Sequence, residues 1–167
     1  QHPACCQALG QRRILLELAH RAIAAGLNEE ELDFSPPTPH LAELRGAFTT
    51  LSLEGGLRGC VGYVMPMYPL YRTVAETAQA AAFSDTRFWP VTRNEAPRLH
   101  VQISVLSPLQ PIRPEEIEVG RHGLIVNLGS FRGLLLPQVP LEYGWDRETF
   151  LAQTCRKAGL SEDAWRK

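Results

Sequence analysis

Across CCQALGQRRILLELAHRAIAAG, residues 5–26, apolar side chains return every three or four positions. Leu15, Leu18, Ala19, Ala22 and Ile23 fall on one face, so the spacing predicts an amphipathic helix, with Gly26 suited to its end. The pattern then breaks at DFSPPTPH (33–40), where three prolines forbid a helix or an inner strand. This Pro-rich loop is the one stretch that reads as a linker. Beyond it, GAFTTLSL and LRGCVGYV flank Glu54-Gly55-Gly56, a hairpin signal because glycine supplies the positive φ of tight turns. PLYRTVAETAQAAAF (69–83) predicts an Ala-rich helix with Pro69 near its first turn. SDTRFWPVTRNEAP reads as a loop. In RLHVQISVLSP the period changes to two: Leu99, Val101, Ile103 and Val105 on one side, His100, Gln102 and Ser104 on the other. A second hairpin is expected over 123–137, turning at Gly129-Ser130. Asp146 opens a last helix over 147–158, with Phe150, Leu151 and Thr154 along one stripe and Gly159 as its stop. Strands in hairpins with helices between them define an α+β class with a mostly antiparallel sheet and flanking helices.

Size and charge narrow this picture modestly. The 167 residues suit one domain, placed here at residues 10–160. A chain of this length buries roughly 68–70% of its unfolded surface and needs no disulfide or metal to fold. Net charge is −1, without the basic footprint of a nucleic-acid binder. Of the 17 basic residues only Lys157 and Lys167 are lysine; the arginines are scattered, as genomic composition bias would leave them. Cys5, Cys6, Cys60 and Cys155 match no zinc or CxxC spacing and read as reduced thiols of a cytoplasmic protein. No signal-peptide pattern is evident, and no apolar stretch approaches the roughly 20 residues that span a bilayer.

Candidate chemistry concentrates in LEGGLRGCVGYVMP (53–66). If 57–63 is extended, Leu57, Gly59, Val61 and Tyr63 share one face, and Arg58, Cys60 and Gly62 the other. A guanidinium beside a thiol favours the thiolate, which is the nucleophile, and Gly62 leaves room for a ligand or a second backbone. The competing reading makes Cys60 a small buried hydrophobe and Arg58 a structural ion-pair partner. His122, in VGRHG, is a candidate acid/base or a loop-capping residue. His100 on its strand invites the same pair of readings. Asp85 and Arg87, in SDTRF, could clamp a ligand or close their own loop. Cys155 reads as packed inside its helix. The motifs HExxH, GxSxG, GxGxxG and the P-loop are all missing from the sequence. A metal site would need ligands gathered from distant segments.

FTTLSLEGGLRGCVGY (48–63), AAAFSDTRFWPV (80–91), LHVQISVLSP (99–108), IEVGRHGLIV (117–126) and LLLPQV with GWDRETFLAQTCRKAGL (134–160) together resemble the AMMECR domain family. Its prokaryotic members are called AmmeMemoRadiSam system protein A. The resemblance covers roughly residues 10–160. It implies an α+β fold of two lobes with a cleft between them, the larger lobe containing both termini and the smaller inserted. It also implies a functional surface at Arg58, Gly59, Cys60 and Gly62, and a Memo-like protein and a radical-SAM protein as partners, but no particular reaction. The chain lacks a CxxxCxxC motif, so iron–sulfur chemistry would belong to a partner, and no cofactor of its own is expected. One departure is that His100 and Gln102 stand where many relatives carry acidic residues, which weakens any role needing a carboxylate there. The resulting expectation is a small anionic ligand in the inter-lobe cleft, with Arg58 as anion contact, Cys60 as candidate nucleophile and His122 as candidate acid/base. The alternative is a non-catalytic interaction or scaffold module for the same partners.

Overall fold

The computed structural model describes the backbone of residues 3–167 and the side chains from residue 11 onward; the Cys5–Cys6 pair lies outside the described side chains. The chain divides into two compact units, Gln1–Leu109 and Gln110–Lys167.

The first unit is built on a three-stranded antiparallel sheet. Helix α1 (Pro3–Asn28) is followed by β1 (Ala47–Leu53), β2 (Gly56–Tyr63), α2 (Leu70–Phe83) and β3 (His100–Val105). The strand order is β2-β1-β3, so the strand carrying Cys60 is an edge. One face of the sheet is covered: Ala47, Thr49, Leu51, Val61, Val101 and Ile103 pack with Leu18, Ala22 and Ile23 of α1 and with Val74, Ala78 and Ala81 of α2. The predicted stripe of the first helix is the stripe that is buried; of the stripe predicted for β3, Leu99 and Val101 are buried and Ile103 partly so, while Val105 at the strand's end is exposed. A polar contact crosses this core where the hydroxyls of Thr49 and Thr77 meet at 2.9 Å, and Thr77 also donates to the Thr73 carbonyl. Both hydroxyls are satisfied, so their burial is tolerated.

The hairpin between β1 and β2 turns on two residues, Glu54 (φ 52°) and Gly55 (φ 81°), the positive-φ pair that matches strand twist. From that turn a regular ladder would set Thr49 opposite Cys60. A one-residue bulge intervenes: Ser52 pairs with Leu57 and Leu51 with Gly59, leaving Arg58 as the extra residue. Thr50, not Thr49, now faces Cys60. Paired residues share a face, and Thr49 points into the core, so the bulge is what turns Cys60 outward. It also corrects one expectation: Leu57 lies on the face of Ser52 and is exposed, rather than sharing a face with Val61.

The second unit holds a two-stranded hairpin, β4 (Leu124–Leu128) and β5 (Phe131–Leu135), then α3 (Gln138–Tyr143) and α4 (Arg147–Lys157). Phe150 and Leu151 of α4 pack with Leu124, Leu135 and Ile117. The Asp146 carboxylate caps α4 by accepting the Thr149 N–H at 2.8 Å. Helix α3 was not expected. Its prolines occupy Pro137 and Pro140, before and within the first turn, where a missing N–H costs nothing.

Candidate functional site

Cys60 sits on the uncovered face of β2, half-buried. Its backbone N–H points off the free edge of the sheet and donates to Asp85 Oδ2 at 3.0 Å. A residue whose N–H points outward forms a non-hydrogen-bonded pair with its neighbour across the ladder, the pair in which side chains stand closest. Accordingly, Cys60 Sγ and Thr50 Oγ1 share a hydrogen bond at 3.3 Å. Gln102 pairs with Thr50 on the far side, giving a polar row Cys60–Thr50–Gln102 across three strands. His100, opposite Ser52, is exposed near one end of that face.

Asp85 follows the end of α2 and is tied down from three directions. Besides the Cys60 N–H, it accepts Arg87 Nε at Oδ1 (3.0 Å), Arg87 Nη2 at Oδ2 (2.7 Å) and the Arg87 backbone N–H (3.2 Å). The Arg87 guanidinium holds the Asp85 carboxyl well below the usual carboxylate range, aided by the two backbone donors and opposed by burial. Asp85 in turn pushes the Arg87 pKa up, with a further contribution from the charge of an ionised Cys60. The carboxylate side chain is 6% exposed and the guanidinium 57%. The pair therefore closes its own loop, as one of the two sequence readings has it, and still offers a cation to solvent beside the thiol.

Arg58 behaves differently. Its Nε and Nη2 make a two-point pair with Glu95 at 2.8 and 3.2 Å, in surroundings that leave the side chains 13% and 19% exposed. Arg58, with Thr92 donating from its N–H and hydroxyl, lowers the Glu95 pKa to about 2 against the opposing effect of burial. The remaining nitrogen, Nη1, is buried and finds no partner among the described residues. The expected guanidinium–thiol neighbourhood is thus supplied through Arg87, 27 residues downstream, while Arg58 locks the 84–99 loop against β2.

The two glycines serve close approach. A Cβ at Gly59 would collide with the Ala81 carbonyl of α2, and one at Gly62 would enter the Phe48 ring, which fills the space above that glycine. His122 belongs to the second unit. Its Nδ1 accepts the Glu118 N–H and its own N–H donates to the Glu118 carbonyl, both at 3.1 Å, so it closes a turn. Cys155 is fully buried in α4. Among the described residues no group of three His, Cys, Asp or Glu is placed to hold a metal ion, and no helix is long and apolar enough to cross a membrane. Among the described residues, one depression of about 360 Å³ is lined by Glu148, Glu162, Trp165 and Arg166, and another of about 40 Å³ by Leu44, Val64 and Leu106. Neither includes Cys60.

Sequence reasoning missed Thr50, Glu95 and Phe48. Thr50 depends on the bulge, and Glu95 lies 37 residues from its partner, so neither leaves a local signal.

The arrangement defines an α+β protein whose first unit presents a thiol, a hydroxyl and a pinned guanidinium on the open face of an edge strand. The AMMECR1 family profile matches residues 16–167, and the chain belongs to that family. A protein of Thermococcus gammatolerans is 46% identical over 165 residues, covering 90% of this chain and 80% of its own length. Protein PH0010 of Pyrococcus horikoshii is likewise 46% identical over 165 residues, with the same coverage. The crystal structure of PH0010, described as an uncharacterized protein, superposes with a TM-score of 0.82 at 44% identity, covering 92% of this chain and 82% of that one. A protein of Saccharolobus islandicus is 43% identical over 166 residues, covering 92% of this chain and 73% of the relative.

Proposed function

We propose that this AMMECR1-family protein binds a small anionic ligand on the open face of β2, beside Cys60, and works in the cytoplasm with Memo-like and radical-SAM proteins. The observation that carries the ligand part is the fixed cation. Arg87 is more than half exposed, yet its direction is set by a carboxylate that is itself anchored on the Cys60 N–H. A guanidinium ordered before the ligand arrives loses little side-chain freedom on binding, and its unused N–H groups fit a carboxylate or phosphate. Thr50 Oγ1 and Cys60 Sγ supply the polar floor, with Gly59 letting α2 close behind it and the Phe48 ring over Gly62 bounding it on the same face. Cys60 is the nucleophile that an electrophilic ligand would meet. An acid–base role for His122 would require its ring to be released from the Glu118 turn. The partner part rests on family resemblance alone.

Thermal unfolding in the presence of inorganic phosphate, pyrophosphate and short dicarboxylates tests the ligand part. A binding anion raises the unfolding midpoint of the full chain by mass action, and Arg87→Ala removes the rise while Arg132→Ala, in the other unit, leaves it intact. No anion shifting the wild type more than the Arg87→Ala variant would overturn it.

A further inference from the structure

Thr50 gives the Cys60 site a part that anion binding at Arg87 does not use. Residues 49 and 50 are both threonine, and the bulge at Arg58 decides which of them meets the sulfur. Thr49 is turned into the core, where its hydroxyl is taken by Thr77. Thr50 is turned to the open face, and among the described residues its hydroxyl has one partner, Cys60 Sγ at 3.3 Å. The two stand in the closer kind of cross-strand pair. Threonine is β-branched and stiff at χ1, which limits where its oxygen can go. On the neighbouring strand the Cys60 backbone is pinned by its N–H bond to Asp85. Both ends of the contact are therefore held.

The direction of the bond depends on the charge of the sulfur. A neutral thiol is weak as donor and as acceptor, and the hydroxyl rotates to suit either. A thiolate only accepts, so Thr50 then donates, and a hydrogen bond to an ionised partner is about twice as strong as a neutral one. On the side of the free edge, the charge of an ionised Cys60 helps to raise the Arg87 pKa, so guanidinium and sulfur act on each other. The charged groups facing the sulfur are Arg87 and, paired with it, Asp85. Across the strands Thr50 and Gln102 are neutral, and His100 stands near one end of the face. A negative charge on the sulfur thus meets a hydroxyl on one side and a guanidinium on the other.

We infer that Thr50 is a positioning residue for Cys60: its hydroxyl holds the sulfur on the open face and donates to it in the anionic, reactive form. The inference rests on the proposed reading of Cys60 as the nucleophile.

The test is alkylation of Cys60 by iodoacetamide in the full chain carrying Cys5→Ser and Cys6→Ser, alone and with Thr50→Val or Thr50→Ser. Valine keeps the branched shape and loses the hydroxyl; serine keeps the hydroxyl. Near pH 7, Thr50→Val should slow the reaction about three- to tenfold, because water replaces only part of a hydrogen bond to a charged sulfur. Thr50→Ser should stay within about twofold of the parent chain, since the donor is retained. At about pH 10, above the ordinary thiol range, the sulfur is anionic in all three proteins and their rates should converge. A role in packing alone would slow Thr50→Val equally at both pH values. That result, an unchanged rate in Thr50→Val near pH 7, or a Thr50→Ser as slow as Thr50→Val would each overturn the inference while leaving Cys60 a nucleophile. A Cys60 as inert as Cys155 in the parent chain would overturn both. The phosphate-dependent rise in unfolding midpoint is read separately through Arg87→Ala, so anion binding stands or falls by itself.

Discussion

Replacing Glu95 by Gln removes the charge that Arg58 depends on while keeping the size of the side chain. The magnitude follows from the carboxylate itself. Its pKa falls from 4.5 to about 2 on folding, chiefly through the two hydrogen bonds from Arg58. At about 1.4 kcal/mol for each tenfold in proton affinity, the ionised form contributes about 3 kcal/mol to stability, reduced to about 2 kcal/mol by the partial solvent access of the pair. The variant also leaves a mostly buried guanidinium without its counter-charge, which acts in the same direction. Because the folded pKa is the lower one, the contribution is complete above pH 4.5 and is lost as pH falls from there towards 2. Urea unfolding of both proteins, followed by circular dichroism from pH 7 down to pH 3, gives the difference directly. The wild type should be about 2–3 kcal/mol more stable at pH 7, and the gap should narrow steadily below pH 4.5. A gap that is constant across this range, or under about 0.5 kcal/mol at pH 7, would refute the assignment of the pair as the lock between β2 and the loop.

Other substitutions probe the same framework. Gly59→Ala forces a methyl group onto the Ala81 carbonyl and should cost about 1–3 kcal/mol or more in urea unfolding by separating α2 from β2. Asp146→Ala removes the cap of α4 and should cost about 1 kcal/mol, visible as faster amide exchange at Thr149 with protection in the first unit unchanged. Asp85→Asn leaves Arg87 without its carboxylate and should cancel the anion-dependent rise in unfolding midpoint while the β1–β2 hairpin retains its amide protection.

Periodicity made the framework legible because burial acts on it directly. Leu15, Leu18, Ala22 and Ile23 are buried as their spacing requires, and so are Val101 on β3 and Phe150 and Leu151 on α4. Both hairpins turn where glycine allows positive φ, at Gly55 and Gly129. Helix α3, Gln138–Tyr143, is six residues long, too short for an apolar period to declare itself. The candidate site was legible in part. Alternation grouped Arg58 with Cys60, and Asp85 and Arg87 stood out as a local pair. What each cation touches was not, because the bulge at Arg58, the reach of Glu95 and the Phe48 ring over Gly62 are products of tertiary packing.

The central claim is that Arg87 holds a positive charge at an accessible Cys60 thiol. Alkylation by iodoacetate and iodoacetamide measures it, in a chain carrying Cys5→Ser and Cys6→Ser, with mass spectrometry reading Cys60 against buried Cys155. The account predicts that the ratio of the anionic to the neutral reagent's rate falls about threefold on Arg87→Ala, the size expected for one charge a few ångströms away in a mostly aqueous setting, and falls likewise in high salt. A ratio unmoved by Arg87→Ala, or a Cys60 as inert as Cys155, would contradict it.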